Sequence, residues 1–206
     1  FGAVSFGENW SPFYNAIIWG AGADRFNGYY TGYGVPGFDS RTTDTVFYSS
    51  PDINGLQINA SVGTSSTTTK HGATQFDDHR ELALTYQLND NIMIAAAMTD
   101  GDSDAQKDKG VGISYTKDAI TINANYMTTE QGGTSYTGDY SNLYAQYDIN
   151  DQTSLRAAIG SADGYVGGNY TVGASHQYDE SIRVFAEYYS DDTGNYPTVG
   201  FRIDID

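Results

Sequence analysis

Cysteine is absent from the 206-residue chain, which excludes both a disulfide framework and thiolate chemistry. Positive charge is scarce. Ten Lys and Arg stand against 26 Asp and Glu, for a formal charge of -16. Nucleic acid is therefore not expected as a partner, because its binding rests on neutralising phosphates with Lys and Arg. Long apolar runs are missing too, and none approaches the roughly 20 residues of a membrane-spanning helix. This does not exclude a membrane: a spanning β-strand needs only about 9–11 residues with every second one apolar, which is compatible with a mean hydropathy of -0.47. Proline is rare as well, with only four residues, whereas there are 24 Gly, 18 Tyr and nine Phe. That many aromatics argues against a disordered acidic chain. Combined with abundant Thr, Asn and Asp, they suit many short strands joined by turns.

The clearest pattern is the hairpin Gly110–Met127. Val111, Ile113 and Tyr115 alternate with Gly112 and Ser114, and Ile120, Ile122, Ala124 and Tyr126 alternate with Thr121, Asn123 and Asn125. Successive side chains of a strand point to opposite faces, so each arm has one apolar face and one uncharged polar face. The same alternation recurs from Thr43 to the end of the chain. Including Phe1–Glu8, it predicts twelve antiparallel strands, with short turns at one end and longer polar connections at the other: 63–79, 100–109, 128–139, 161–168 and 190–197. Tyr48, Tyr86, Tyr115, Tyr147 and Tyr178 each stand on the apolar face just before a short turn, and Tyr126, Tyr170 and Tyr188 mark the other ends of those faces. Two aromatic rows bracketing an apolar band are what the two membrane interfaces select.

Between Trp10 and Arg41 the alternation stops. The segment is dense in aromatics, among them Trp10, Phe13, Tyr14, Trp19 and Phe26, as a disordered linker would not be. It is expected to pack against something and to carry a short helix near Tyr14–Gly20. The fold class expected is all-β: a transmembrane antiparallel up-and-down β-barrel, forming one domain over 1–206. The alternative is a soluble β-rich surface binding or adhesion protein whose apolar faces form a core; against it, the apolar faces contain many Ala and Gly and the opposite faces hold few Lys or Glu.

The runs VSFGENWSPFYNA, TVFYSSPDINGLQINASVG and YTVGASHQYDESIRVFAEYYSDDTGNYPTVGFRIDID together resemble the Gram-negative general porins, especially the sixteen-stranded alphaproteobacterial (Rhodobacter) type. The resemblance spans the whole chain, with Phe1–Glu8 similar to the family's fifth strand and Val199–Ile205 to its sixteenth. On that count the family's first four strands have no counterpart here, so the chain is expected to be either part of a sixteen-stranded barrel or a smaller barrel closing on twelve strands. The family usually ends in an aromatic residue, whereas Asp206 ends this chain.

The resemblance implies a homotrimer in the bacterial outer membrane, in contact with its lipid and lipopolysaccharide, whose water-filled barrels pass ions and small hydrophilic solutes by passive diffusion without enzymatic chemistry. It also implies that 10–41 folds inward as a constriction loop. With the apolar faces outward, inward residues include Gln57, Asn59, Gln146, Arg156, Arg183, Glu187 and Arg202. A transverse field between inward arginines and an acidic loop is typical of the family. Glu8, Asp24 and Asp39 are the candidates on the loop side, with Arg156, Arg183 and Arg202 on the wall. The competing expectation is that these arginines simply pair with Glu187 or Asp204.

Other motifs carry less. Gly32, Gly34 and Gly37 match a dinucleotide-loop spacing, but Pro36 lies inside it and no strand leads in. Asp100, Asp102 and Asp104 are weak candidates for a loosely bound Ca2+, although Ala105 and Val111 stand where a calcium-binding loop needs Gly and Glu. No other cofactor is expected.

Overall fold

A computed structural model describes residues 1–22, 26, 41–64, 68–69, 75–76, 79–101, 106–131, 137–162 and 166–204. Its strands are β1 (Ala3–Trp10), β2 (Arg41–Ser49), β3 (Leu56–Gly63), β4 (Thr68–Thr69), β5 (Gln75–Phe76), β6 (Arg80–Asn89), β7 (Ile92–Asp100), β8 (Gln106–Lys117), β9 (Ile120–Gln131), β10 (Thr137–Asn150), β11 (Thr153–Ala162), β12 (Val166–Gln177), β13 (Ile182–Asp191) and β14 (Gly194–Ile203). β4 and β5 form a small separate hairpin. The other twelve make one sheet in which every strand pairs with its sequence neighbour, in the order β1-β2-β3-β6 and onward to β14. Among the described residues β1 and β14 do not pair with each other, so the sheet stays open.

Burial in this sheet is inverted relative to a soluble protein. One register row runs Tyr86, Ile94, Ile113, Ala124, Leu143, Ile159, Tyr170. Its apolar side chains are exposed, with Ile113 and Leu143 at 45% and Ile159 at 58%. The opposite face buries Thr45, Ser61, Asn123, Asn125, Asn142, Thr171 and Glu187. In water each of these half-exposed Leu or Ile side chains would forgo about half of the 1.5–3 kcal/mol that full burial contributes. A hydrocarbon surround removes that deficit. The soluble alternative required these faces to form a core, and they do not.

Three of the short turns share one device. The side-chain oxygen of Asn89 accepts from the backbone N–H of Asn91 and Ile92, Asn150 accepts from Gln152 and Thr153, and Asp179 accepts from Ser181 and Ile182. An Asx side chain thereby supplies the turn's missing acceptor. Asn54, Gly55 and Asp118 take positive φ where two other strand pairs reverse.

The opposite end departs from expectation. The 190–197 stretch is no long loop: Asp191 accepts from the N–H groups of Thr193 and Gly194, closing a tight reversal, and Pro197 pairs with Tyr188 inside β14. β8, β9, β10 and β12 likewise extend into polar sequence that alternation alone left as loop. The ladder needs only backbone partners, so apolar alternation ceases where the bilayer ends while hydrogen bonding continues. The contrast between short turns and long loops is correspondingly weaker than the sequence implied.

Candidate functional site

The polar face is covered in part by the chain's own residues 11–22 and Phe26. After Trp10 the chain enters a helical segment of π type, Tyr14–Gly20, whose Tyr14, Ala16, Ile17 and Ile18 are buried. They lie on a row of mostly small residues, Ala83, Ala97, Gly110 and Met127, continued by Tyr140 and Ala162. The row is a trough because its middle lacks side-chain bulk: a Cβ on Gly110 would stand 3.0 Å from the Phe13 ring and 3.1 Å from Ile17, and one on Gly112 would collide with Ala21. Farther along, Phe26 packs edge-on against Tyr144 at 5.9 Å, next to Ala158.

Hydrogen bonds tie the segment down at both ends. At its start the buried Glu81 carboxylate accepts from the Ser11 hydroxyl at 2.6 Å and from the Phe13 N–H at 3.0 Å, while Ser11 Oγ accepts from the Tyr14 N–H at 3.1 Å. The ring of His79, also buried, meets the other oxygen of Glu81 at 2.6 Å. At its end Asn125 Nδ2 donates to the Ile17 carbonyl at 2.9 Å and Asn123 Nδ2 to the Gly22 carbonyl at 3.0 Å. Both asparagines are themselves oriented. Asn142 donates to Asn125 Oδ1 and Ser114 to Asn123 Oδ1. The final turn of a helix leaves carbonyls without intrahelical donors; here Asn125 serves that of Ile17, and Asn123 serves the Gly22 carbonyl just past the helix.

The residues singled out from sequence are distributed as follows. Arg156, Arg183 and Arg202 lie on the polar face of β11, β13 and β14, and Arg183 and Arg202 stand directly opposite each other in register. Arg183 donates from Nε to Gln177 at 2.9 Å, and Arg202 pairs with Asp204 at 2.7 Å. Glu8, at the loop end of β1, forms an exposed ion pair with Arg41 at 3.2 Å. Asp24 and Asp39 lie outside the described residues, as do Asp102 and Asp104; Asp100 pairs with Lys107 at 3.6 Å. Tyr48, Tyr86, Tyr147 and Tyr178 are exposed and Tyr115 half-exposed, next to the short turns. Glu81 and the Gly110–Gly112 trough were not singled out. The visible signal was a carboxylate on the polar face of β6 and a run of Ala and Gly on the same face of β7 and β8.

A sheet that turns its apolar face outward and folds its own chain against a polar face defines a β-barrel membrane channel. The model of the Gram-negative porin family matches residues 1–196, and the chain belongs to that family. It is an outer-membrane porin forming a water-filled channel for passive diffusion. Solved porins share its fold: an OmpF of Salmonella typhi in complex with daunomycin (16% identity, TM-score 0.78, covering 98% of this chain and 74% of that one) and a loop L8 deletion mutant of OmpT from Vibrio cholerae (18%, 0.75, 98% and 76%). A multiple mutant of the Rh. blastica porin is similar at 20% identity and TM-score 0.65, covering 98% of this chain and 73% of that one. No curated protein matches by sequence.

Proposed function

We propose that the 10–41 segment is the constriction of this porin and fixes the size of the ions and small hydrophilic solutes that pass. The observation carrying this reading is the seating of residues 11–22 on the polar face by Glu81, Asn123 and Asn125. A segment tethered at both ends narrows the bore permanently instead of fluctuating through it. Arg156, Arg183 and Arg202 form the basic wall in this proposal. The acidic side comes from Asp24 and Asp39, with Glu8 at the rim. The tyrosines at the two ends of the apolar band rest in the membrane interfaces against lipid and lipopolysaccharide, and the working unit is a homotrimer, as the family resemblance implies.

Planar-bilayer recording tests this reading. Deletion of Ile17–Pro36 raises single-channel conductance if the segment constricts the pore; unchanged conductance refutes the constriction. Native insertions arriving in steps of three support the trimer, and solitary steps refute it.

A further inference from the structure

Across β10 to β13 the polar face carries a hollow of about 180 Å3 beside the Asn150–Thr153 turn, nearer the short-turn end than the contact of Phe26 with Tyr144. Its floor is low because neighbouring strands bring two small residues into register: Ser154 and Ser175 stand directly opposite each other, buried, with their hydroxyls 3.0 Å apart. Longer polar side chains surround them. On the β10 side Asp148 accepts from the Gln146 amide at 2.8 Å, and on the β13 side Arg183 donates from Nε to Gln177 at 2.9 Å. Both glutamines are themselves fixed. Gln146 Oε1 accepts from the Tyr144 hydroxyl at 2.6 Å, and Gln177 Nε2 donates to the carbonyls of Asp179 at 2.7 Å and Ile182 at 3.3 Å. The charged rim is thus held in place before a solute arrives, which lowers the ordering cost of binding.

The signs of the charges decide what fits. Arg156 and Arg183 bring two positive charges to the lining, and Asp148 and Asp151 two negative ones. Asp148 and Arg183 form no ion pair with each other, and their strands are three spacings apart, about 14–15 Å across the sheet. An anion in the hollow meets two carboxylates and a cation meets two guanidinium groups, whereas a small solute carrying both charges satisfies both sides. A guanidinium anchored through Nε still presents its terminal amino groups, which suit a carboxylate. The volume corresponds to about six water molecules of the liquid, room for a solute the size of alanine or serine. We propose that this hollow binds small zwitterions of the α-amino-acid class, with the carboxylate toward Arg183 and the ammonium toward Asp148. The site uses two members of the proposed basic wall and rests on that part of the reading.

Saturation-transfer NMR on the intact, detergent-solubilised porin tests it with three probes of similar shape: L-alanine, L-lactate, in which a hydroxyl replaces the ammonium, and L-alaninol, in which a hydroxymethyl replaces the carboxylate. L-alanine binds more tightly than either. Loss of one charged contact at a water-facing site weakens L-alanine roughly two- to tenfold, so Asp148→Asn brings it to the level of lactate and Arg183→Gln to that of alaninol. Arg183→Lys, which keeps the charge without the fork, falls between native and Arg183→Gln. Either single-charge probe binding as tightly as L-alanine, or L-alanine affinity indifferent to both Asp148→Asn and Arg183→Gln, overturns the site. Should Arg183→Gln fail to assemble, Asp148→Asn and the three native titrations decide alone. Reversal potentials in a KCl gradient read the basic wall separately. Selectivity that shifts toward cations in Arg183→Gln while L-alanine binding is unchanged removes the zwitterion site and leaves the wall; weakened L-alanine with unchanged selectivity removes Arg183 from the wall and leaves the site.

Discussion

Glu81→Ala should release the entrance of the inward segment without disturbing the sheet. The Glu81 side chain is buried against the wall and accepts two bonds from the segment, from the Ser11 hydroxyl at 2.6 Å and the Phe13 N–H at 3.0 Å. Hydrogen bonds to a charged group contribute about 1.5–3 kcal/mol each, so their joint loss costs the closed entrance about 3–6 kcal/mol, less whatever water recovers. Even the lower figure corresponds to about two orders of magnitude in the opening equilibrium. Strand pairing of β6 with β3 and β7 is backbone in origin and survives. Amide hydrogen exchange read at Phe13, Tyr14 and Asn15 should accelerate accordingly, while amides of β8 and β9 stay protected. The open-channel current should become noisy, as a segment that has lost its entrance tether and keeps only its apolar seat, Asn123 and Asn125 moves more freely. Glu81→Gln keeps one acceptor oxygen and should fall between the two. Exchange at Phe13 within threefold of the native rate, together with a quiet current, would refute the tethering role of Glu81.

Two further outcomes separate the faces and the turns. Ile122→Arg places a cation on the apolar face of β9, opposite the interfacial Tyr115, and should cost up to about 1 kcal/mol if that face meets lipid; Thr121→Arg, one residue away on the polar face, should fold with nearly native yield in lipid vesicles, and equal yields for the two would mean no bilayer contacts that face. Asp179 is held below its ordinary carboxyl value of 3.8, chiefly by the Ser181 backbone N–H and then by its hydroxyl. A lowered folded value means the turn's stabilisation is fully present above the unfolded value and lost as pH falls through the folded one. Protection of the Ser181 and Ile182 amides should therefore drop in acid, whereas Asp179→Asn, which matches the Asn89 and Asn150 turns, should show no such dependence; identical pH profiles would remove Asp179 from the account.

What could be read in advance depended on the range of the interaction. The hairpin Ile113–Ile122 announced itself because a period of two is local, and the placement of all twelve strands of the large sheet followed from it. The ends of β9 and β10 did not, since Thr129 and Asp139 continue a ladder through polar sequence that looks like loop. The tethers were hidden for another reason. Glu81 lies 70 positions from Ser11, and Asn125 lies 108 from Ile17. Asn123 and Asn125 could be assigned to the polar face by alternation, yet nothing local says that their amides bind the chain's own carbonyls rather than water. The short helix at Tyr14–Gly20 was legible from its break in alternation, and its seat was not, because a trough of Ala95, Ala97, Gly110 and Gly112 is defined by atoms that are missing.

Gly112 makes that missing volume a point of adjustment. The gap between wall and segment is set at this position by the absence of one methyl group: a Cβ here would collide with Ala21, so any larger residue must displace Ala21 or the wall. On the proposed reading of residues 10–41 as the constriction, a substitution at Gly112 alters the exclusion limit while leaving every charged residue in place: a single-codon gauge for sieving, independent of the electrostatics that sort ions.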